Sequence, residues 1–208
     1  EANYIITMQS DTKTIGIKNI GHRLLGWYEV GDEENIKSAI FISAGEVGDR
    51  YFVAEWEIVD YSITYDLANG EISQGSNPEK YTVEDADIIL IAPTRTGYEF
   101  IGWINENGES VSIIFGGSIG DISLKATWEV IEYSITYDLG DENAVNDCNN
   151  PIIYTVNDEE IILGAPTRTG FTFCGWEDEN GHLISSIPYG STGNIIIKAK
   201  WIEDTKVL

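Results

Sequence analysis

Residues 61–67 read Tyr-Ser-Ile-Thr-Tyr-Asp-Leu, with Tyr61, Ile63, Tyr65 and Leu67 set against Ser62, Thr64 and Asp66. This two-residue period predicts a half-buried β-strand. It returns in Ile122, Leu124, Ala126 and Trp128 against Ser123, Lys125 and Thr127, and predicts a closing strand. The pieces between them are short. A Gly/Ser/Asn loop covers 68–78, a short strand 81–83, an apolar run 88–91, and a strand 98–104. Pro93 and Gly97 mark a turn, and Asn107-Gly108 is a hairpin signal. No stretch of a dozen residues carries the 3.6-residue apolar period of a helix. Helix below about 15% of residues is expected, against about a third in an average globular protein. At most one helical turn is read, at 111–114.

The pattern is duplicated, and repeats decide the architecture. The strand beginning at Tyr61 returns at Tyr133, a shift of 72, and Ala92-Pro-Thr-Arg-Thr-Gly97 returns as Ala165–Gly170, a shift of 73. Phe100, Gly102 and Trp103 match Phe173, Gly175 and Trp176, and Lys125, Ala126 and Trp128 match Lys198, Ala199 and Trp201. The extra residue falls in the loop between the matched blocks, where added length costs little. A third copy shows in Gly21, Gly26-Trp27, Gly45, Gly48, Ala54 and Trp56. Copy one lacks the opening strand and the Pro-Thr-Arg-Thr element, because Tyr4 already lies where Tyr81 and Tyr154 lie. It reads as a truncated or degenerate copy whose open edge is covered by residues 1–10 or by a neighbouring molecule. The division expected is 1–58, 59–130 and 131–208, with linkers that contain neither Gly nor Pro. Such linkers favour an elongated, semi-rigid array.

The chain has 208 residues and a net charge of -23, from 35 acidic and 12 basic residues. Every copy is acidic, which argues against nucleic acid or anionic membrane as partner, since phosphate binding draws on Lys and Arg. No apolar run approaches the ~18 residues that span a bilayer, so no membrane insertion is expected. The first ten residues are no secretory signal, and the chain reads as a mature segment of something larger. Two His, two Cys and one Met leave little for a metal site or a nucleophilic triad.

The order of aromatic opening strand, Gly/Asn loop, Pro-Thr-Arg-Thr-Gly-[Tyr/Phe]-x-Phe-x-Gly-Trp block (93–103 and 166–176) and closing Leu/Ile-x-Ala-x-Trp strand resembles the Listeria–Bacteroides repeat, which includes the B-repeat of internalin B. The resemblance implies small, mainly β units related to the β-grasp fold. It also implies tandem arrays in bacterial surface or secreted proteins, and so an extracellular or cell-wall location. It supplies no catalytic residues.

Each candidate for chemistry has a structural reading beside it. Trp27, Trp56, Trp103, Trp128, Trp176 and Trp201 are read as core, two per copy, and not as a stacking surface for sugars. Arg95 and Arg168 are read as tying down the turn that holds them, in preference to gripping a partner's carboxylate. The acidic clusters at 32–34, 141–142, 158–160 and 177–179 lack the spacing of a Ca²⁺ loop and are read as solvated surface. Cys174 stands where Ile101 stands and is read as a small hydrophobe; Cys148 lies in the variable loop, and no disulfide is expected. His22 and His182 do not match in position. The expectation is a non-enzymatic spacer or stalk with no cofactor or metal and no small-molecule ligand. Its partner, if it is adhesive, would be a host or bacterial surface protein. The alternative is a carbohydrate-binding module attached to a secreted enzyme, which needs two exposed, coplanar aromatics on one unit.

Overall fold

The computed structural model describes residues 3–5, 17–43, 45–72 and 75–205. Among them every regular element is a strand, and none is a helix. Copy one contributes β1 (Asn3–Ile5), β2 (His22–Glu29) and β3 (Tyr51–Ile58). Copy two contributes β4 (Tyr61–Asp66), β5 (Lys80–Tyr81), β6 (Ile88–Ile89), β7 (Tyr98–Ile104), β8 (Ser110–Val111), β9 (Ile113–Ile114) and β10 (Ile122–Val130). The segment read as a helical turn is therefore two short strands, which pair Val111 with Trp103 and Ile114 with Ile88. Copy three repeats the set as β11 (Tyr133–Asp138), β12 (Ile153–Tyr154), β13 (Ile161–Ile162), β14 (Phe171–Glu177), β15 (Leu183–Ile184), β16 (Ser186–Ile187) and β17 (Ile195–Glu203). The backbone gathers into two compact units. Of the described residues, one holds those up to 66 with 75–91 and 103–125, and the other holds 67–72, 92–102 and 126–205.

Copy three shows how the repeat is built. Its five-stranded sheet has the order β12-β11-β17-β14-β15, and β13 pairs with β16 in a small second sheet. The opening and closing strands lie side by side in parallel, Ile135 against Ile195 through Asp138 against Lys198. All other pairs are antiparallel. The alternation read from sequence decides which face is buried: Ile135 and Ile197 are in the core, while Ser134, Thr136 and Ile196 face out. They pack with Tyr154, Leu163, Trp176 and Ile187. Copy two has the matching order β5-β4-β10-β7-β8 with a β6–β9 pair, and β4 and β10 are likewise parallel.

The tryptophan reaches the core through a bulge. Phe173 and Trp176 are three apart, which on a regular strand puts them on opposite faces. The register of β14 shifts between Phe173 and Gly175, so Phe173 faces Trp201 and Trp176 faces Ala199 two positions away. The extra residue turns Trp176 to the same face as Phe173. Gly175 sits there at φ 140°, a conformation costly for any residue with a Cβ. The shift between Leu24 and Gly26 in copy one does the same for Trp27. Cys174 lies at this bulge at the position of Ile101, and both are exposed; Cys148 is exposed too, and both thiols are free.

In the N-terminal segment the strand β3 takes its second neighbour from the same chain. β1 pairs antiparallel with β3, Tyr4 against Phe52. Phe52 matches Leu124 and Ile197, which in the other copies pair with Tyr65 and Tyr137 of the opening strands. The segment that follows the opening strand elsewhere here takes its place beside the closing strand, in the opposite direction.

Two recurring phenols give the fold an alkaline limit. Tyr65 and Tyr137 donate to the Pro78 and Pro151 carbonyls at 2.9 and 2.8 Å. Burial pushes both hydroxyls up to about 12. An unfolded Tyr titrates near 10, so the protonated phenol favours the folded state. This contribution is fully present below about pH 10 and is lost as pH rises toward 12. Denaturant midpoints measured from pH 8 to 12 should hold level and then fall above pH 10. Replacing both tyrosines by Phe should flatten that fall, and an equally steep fall in the variant would rule out these phenols as its source.

Candidate functional site

The features that recur at fixed spacing build a joint between successive copies. It begins at the Thr-Arg-Thr-Gly turn. Tyr98 N–H donates to the Arg95 carbonyl at 3.1 Å and Phe171 N–H to the Arg168 carbonyl at 3.2 Å. Each guanidinium lies 3.6 Å from the centroid of the following ring, Arg95 over Tyr98 and Arg168 over Phe171. Such contacts stabilise by about 0.5–1 kcal/mol at exposed sites. Arg168 also pairs with Asp141 at 2.8 Å. The Asp141 carboxyl is held below its ordinary range, first by the Asn143 amide and then by Arg168. The turn leaves Gly97 at φ 75° and Gly170 at φ 77°.

Gly97 is a notch filled by the next copy. A Cβ built on it would stand 2.1 Å from Cγ1 of Val156. Beside this contact Tyr98 Oη donates to Asn157 Oδ1 at 2.6 Å, and Ile131 N–H donates to the Gly97 carbonyl at 2.9 Å. Copy one meets copy two in the same way. A Cβ on Gly21 would stand 2.0 Å from Cγ1 of Val83, His22 Nε2 lies 3.4 Å from Glu84, and Val59 N–H donates to the Gly21 carbonyl at 2.9 Å. The valine is presented by a braced turn. The Thr82 amide and hydroxyl donate to Asp85 Oδ2 at 2.6 and 3.0 Å, and those of Thr155 to Asp158 Oδ2 at 2.6 and 2.9 Å.

The six tryptophans divide into two kinds. Trp103 and Trp176 are 3% and 1% exposed, and their indole N–H groups donate to the Ile91 and Gly164 carbonyls at 3.2 and 3.0 Å. Trp128 and Trp201 are half-buried and donate to the Leu67 and Leu139 carbonyls at 3.0 and 2.9 Å. Trp27 and Trp56 are half-buried as well. Sequence reading passed over Asn77 and Asn150. Asn77 bonds both the N–H and the C=O of Ile91, and Asn150 those of Gly164, with the side-chain amide standing in for a strand neighbour. The recurrence of Asn-Pro, like that of Thr-x-x-Asp, was the available signal. The acidic clusters are more than solvated surface: Asp158 braces its turn, and the Asp178 carboxyl accepts the His182 and Asn180 amides, which lower its pKa.

Among the described residues little else resembles a site. Two surface depressions in copy two, of about 320 and 540 Å³, adjoin the 105–108 turn and share Asn105, Glu106 and Ser123 in their walls. Among the described residues no group of three or more His, Cys, Asp or Glu is placed to hold a metal ion. His22 and His182 sit beside Glu84 and Asp178, each an isolated pair. No helix among the described residues is long and apolar enough to cross a membrane.

The Listeria–Bacteroides repeat domain model matches residues 61–127 and 133–200, which are copies two and three. The chain belongs to the Listeria–Bacteroides repeat family. It is similar to two proteins of Evansella cellulosilytica whose names class them, provisionally, as membrane proteins, the second also as Gly-rich. They are 27% and 26% identical, each over 82% of this chain and over 25% and 19% of their own lengths. Internalin H of Listeria monocytogenes is 29% identical over 54% of the chain and 21% of its own length. The chain thus spans a quarter or less of the length of each of these three relatives. No solved structure is significantly similar to it. The two tandem matches and the all-β units are what the repeat pattern and the family resemblance called for.

Proposed function

We propose that the three copies, divided near 58 and 130, form a non-enzymatic spacer in a bacterial cell-surface or secreted protein and carry another part of that protein away from its anchor. The observation that supports this best is the recurrence of one joint. Gly21 receives Val83 and Gly97 receives Val156 with matching backbone hydrogen bonds, so each copy takes its position from the one before. Membership in a repeat family with an internalin relative supports an extracellular setting and a host or bacterial surface protein as the class of partner. The strand order second-first-fifth-third-fourth, with a parallel central pair, supports a β-grasp-like unit. The carbohydrate-module reading finds less support. Copies two and three expose one aromatic each, Phe115 and Tyr189, at unmatched positions, and among the described residues two exposed aromatics fall together in copy one alone, Phe41 and Tyr51, with no counterpart in the other copies. Small-angle scattering tests the spacer. A compact chain of this length has a radius of gyration near 17 Å, and the value expected is well above it. A result close to the compact figure would end the spacer reading.

A further inference from the structure

We propose that the exposed notch at Gly170 in copy three is a docking site for the Thr-Val-x-Asp turn of a further repeat of this kind, joined in line with the chain. The parts of the joint are all present there. Arg168 covers Phe171 as Arg95 covers Tyr98, both at 3.6 Å. Gly170 has φ 77°, beside 75° at Gly97 and 71° at Gly21. Its carbonyl accepts Asp204 N–H at 2.9 Å, as that of Gly97 accepts Ile131 N–H at 2.9 Å.

Only the occupant differs. Gly97 is buried and Gly170 is exposed. Among the described residues nothing lies within 4 Å of the point where a Cβ on Gly170 would stand, whereas Val156 lies 2.1 Å from that point at Gly97. The occupant follows from the two filled notches. Each takes a valine, from a turn closed by Thr and Asp, and each takes it from the copy that comes next in the chain. The closing strand leaves Gly170 along the same hydrogen bond, so a repeat placed directly after Thr205 would start where copies two and three start. The third joint would be simpler in its chemistry. His22 and Tyr98 reach polar groups of the following copy, Glu84 and Asn157, but Phe171 offers only a ring. Beside that backbone hydrogen bond, apolar contact would hold it, with no polar side chain required at the position of Asn157.

This inference rests on the geometry of the joint and not on the spacer reading, which scattering on the 208-residue chain tests separately. The test is a chain of residues 1–205 followed by residues 133–208, compared with the 208-residue chain by amide hydrogen exchange at Asp204. Docking covers the bond from Asp204 to Gly170, so exchange there should slow by about tenfold or more. Gly170→Ala in the extended chain should restore the faster exchange while the near-UV signal of the tryptophans stays native. Val→Ala in the appended turn should do the same in part. Unchanged exchange in the extended chain overturns the proposal, and so does slowing that survives Gly170→Ala. Slowing in the 208-residue chain that grows with protein concentration would give the notch to a second molecule and overturn the in-line occupant.

Discussion

Trp176→Ala should unfold copy three, and Trp103→Ala should do the equivalent damage in copy two, each at a cost of about 3–5 kcal/mol. Trp176 is 1% exposed. Its ring meets Tyr137 and Phe173 edge-on, both with centroids 5.3 Å away, and Trp103 meets Tyr65 at 5.3 Å. Truncation removes these contacts and leaves a cavity that a strand fixed by its bulge cannot close. The Gly164 carbonyl loses the indole donor but keeps the Asn150 amide at 3.0 Å, so the main cost is lost packing and not an orphaned acceptor. A unit of about 70 residues has little more stability than this to lose. Thermal melts should show one transition moving down strongly in each variant. Trp201→Ala, at a half-buried position, is the control and should cost clearly less. Equal losses at Trp176 and Trp201 would contradict the division of the tryptophans drawn from burial.

The second large effect is at the joint. Gly97→Ala should cost more than Gly170→Ala by about 1–3 kcal/mol, the usual penalty of overpacking. Both variants place an L-residue in the left-handed region, at about 1–2 kcal/mol each, so the comparison cancels that shared strain. What remains is the new methyl at Gly97, 2.1 and 2.5 Å from the two Cγ atoms of Val156 and 2.8 Å from its Cβ. Val156→Ala removes the two nearer atoms and leaves the third, so it should rescue Gly97→Ala in part. The double-mutant cycle should then show a coupling energy of at least about 0.5 kcal/mol, the level expected of residues in contact. Additive effects, or equal costs at the two glycines, would mean that Val156 does not fill the notch in solution.

The sequence by itself determined the repeat, its 72–73-residue period, the buried faces of the opening and closing strands, and the Asn-Gly hairpin. These are local properties. Alternation sorts side chains between two faces whatever the partner strand is, and Asn107-Gly108 favours a tight turn through its own backbone freedom. The duplication also puts the one-residue insertion between the strand at 133–139 and the block at 165–170. Tertiary structure decided what depends on pairing. A strict period of two puts Phe173 and Trp176 on opposite faces, and only the register shift against β17 brings them together. Asn77 and Asn150 read as loop residues because their role lies in bonding a segment 14 residues away. In copy one the antiparallel placing of β1 answers to the vacancy beside β3, which is a property of the sheet and not of residues 3–5. The joint was the least legible feature. Gly97 read as a turn residue, which it is, but its second requirement comes from a valine in the following copy, 59 residues on. A pattern along the chain records which way each side chain faces; which distant side chain comes to fill the space left at a glycine is settled only when the sheets have formed.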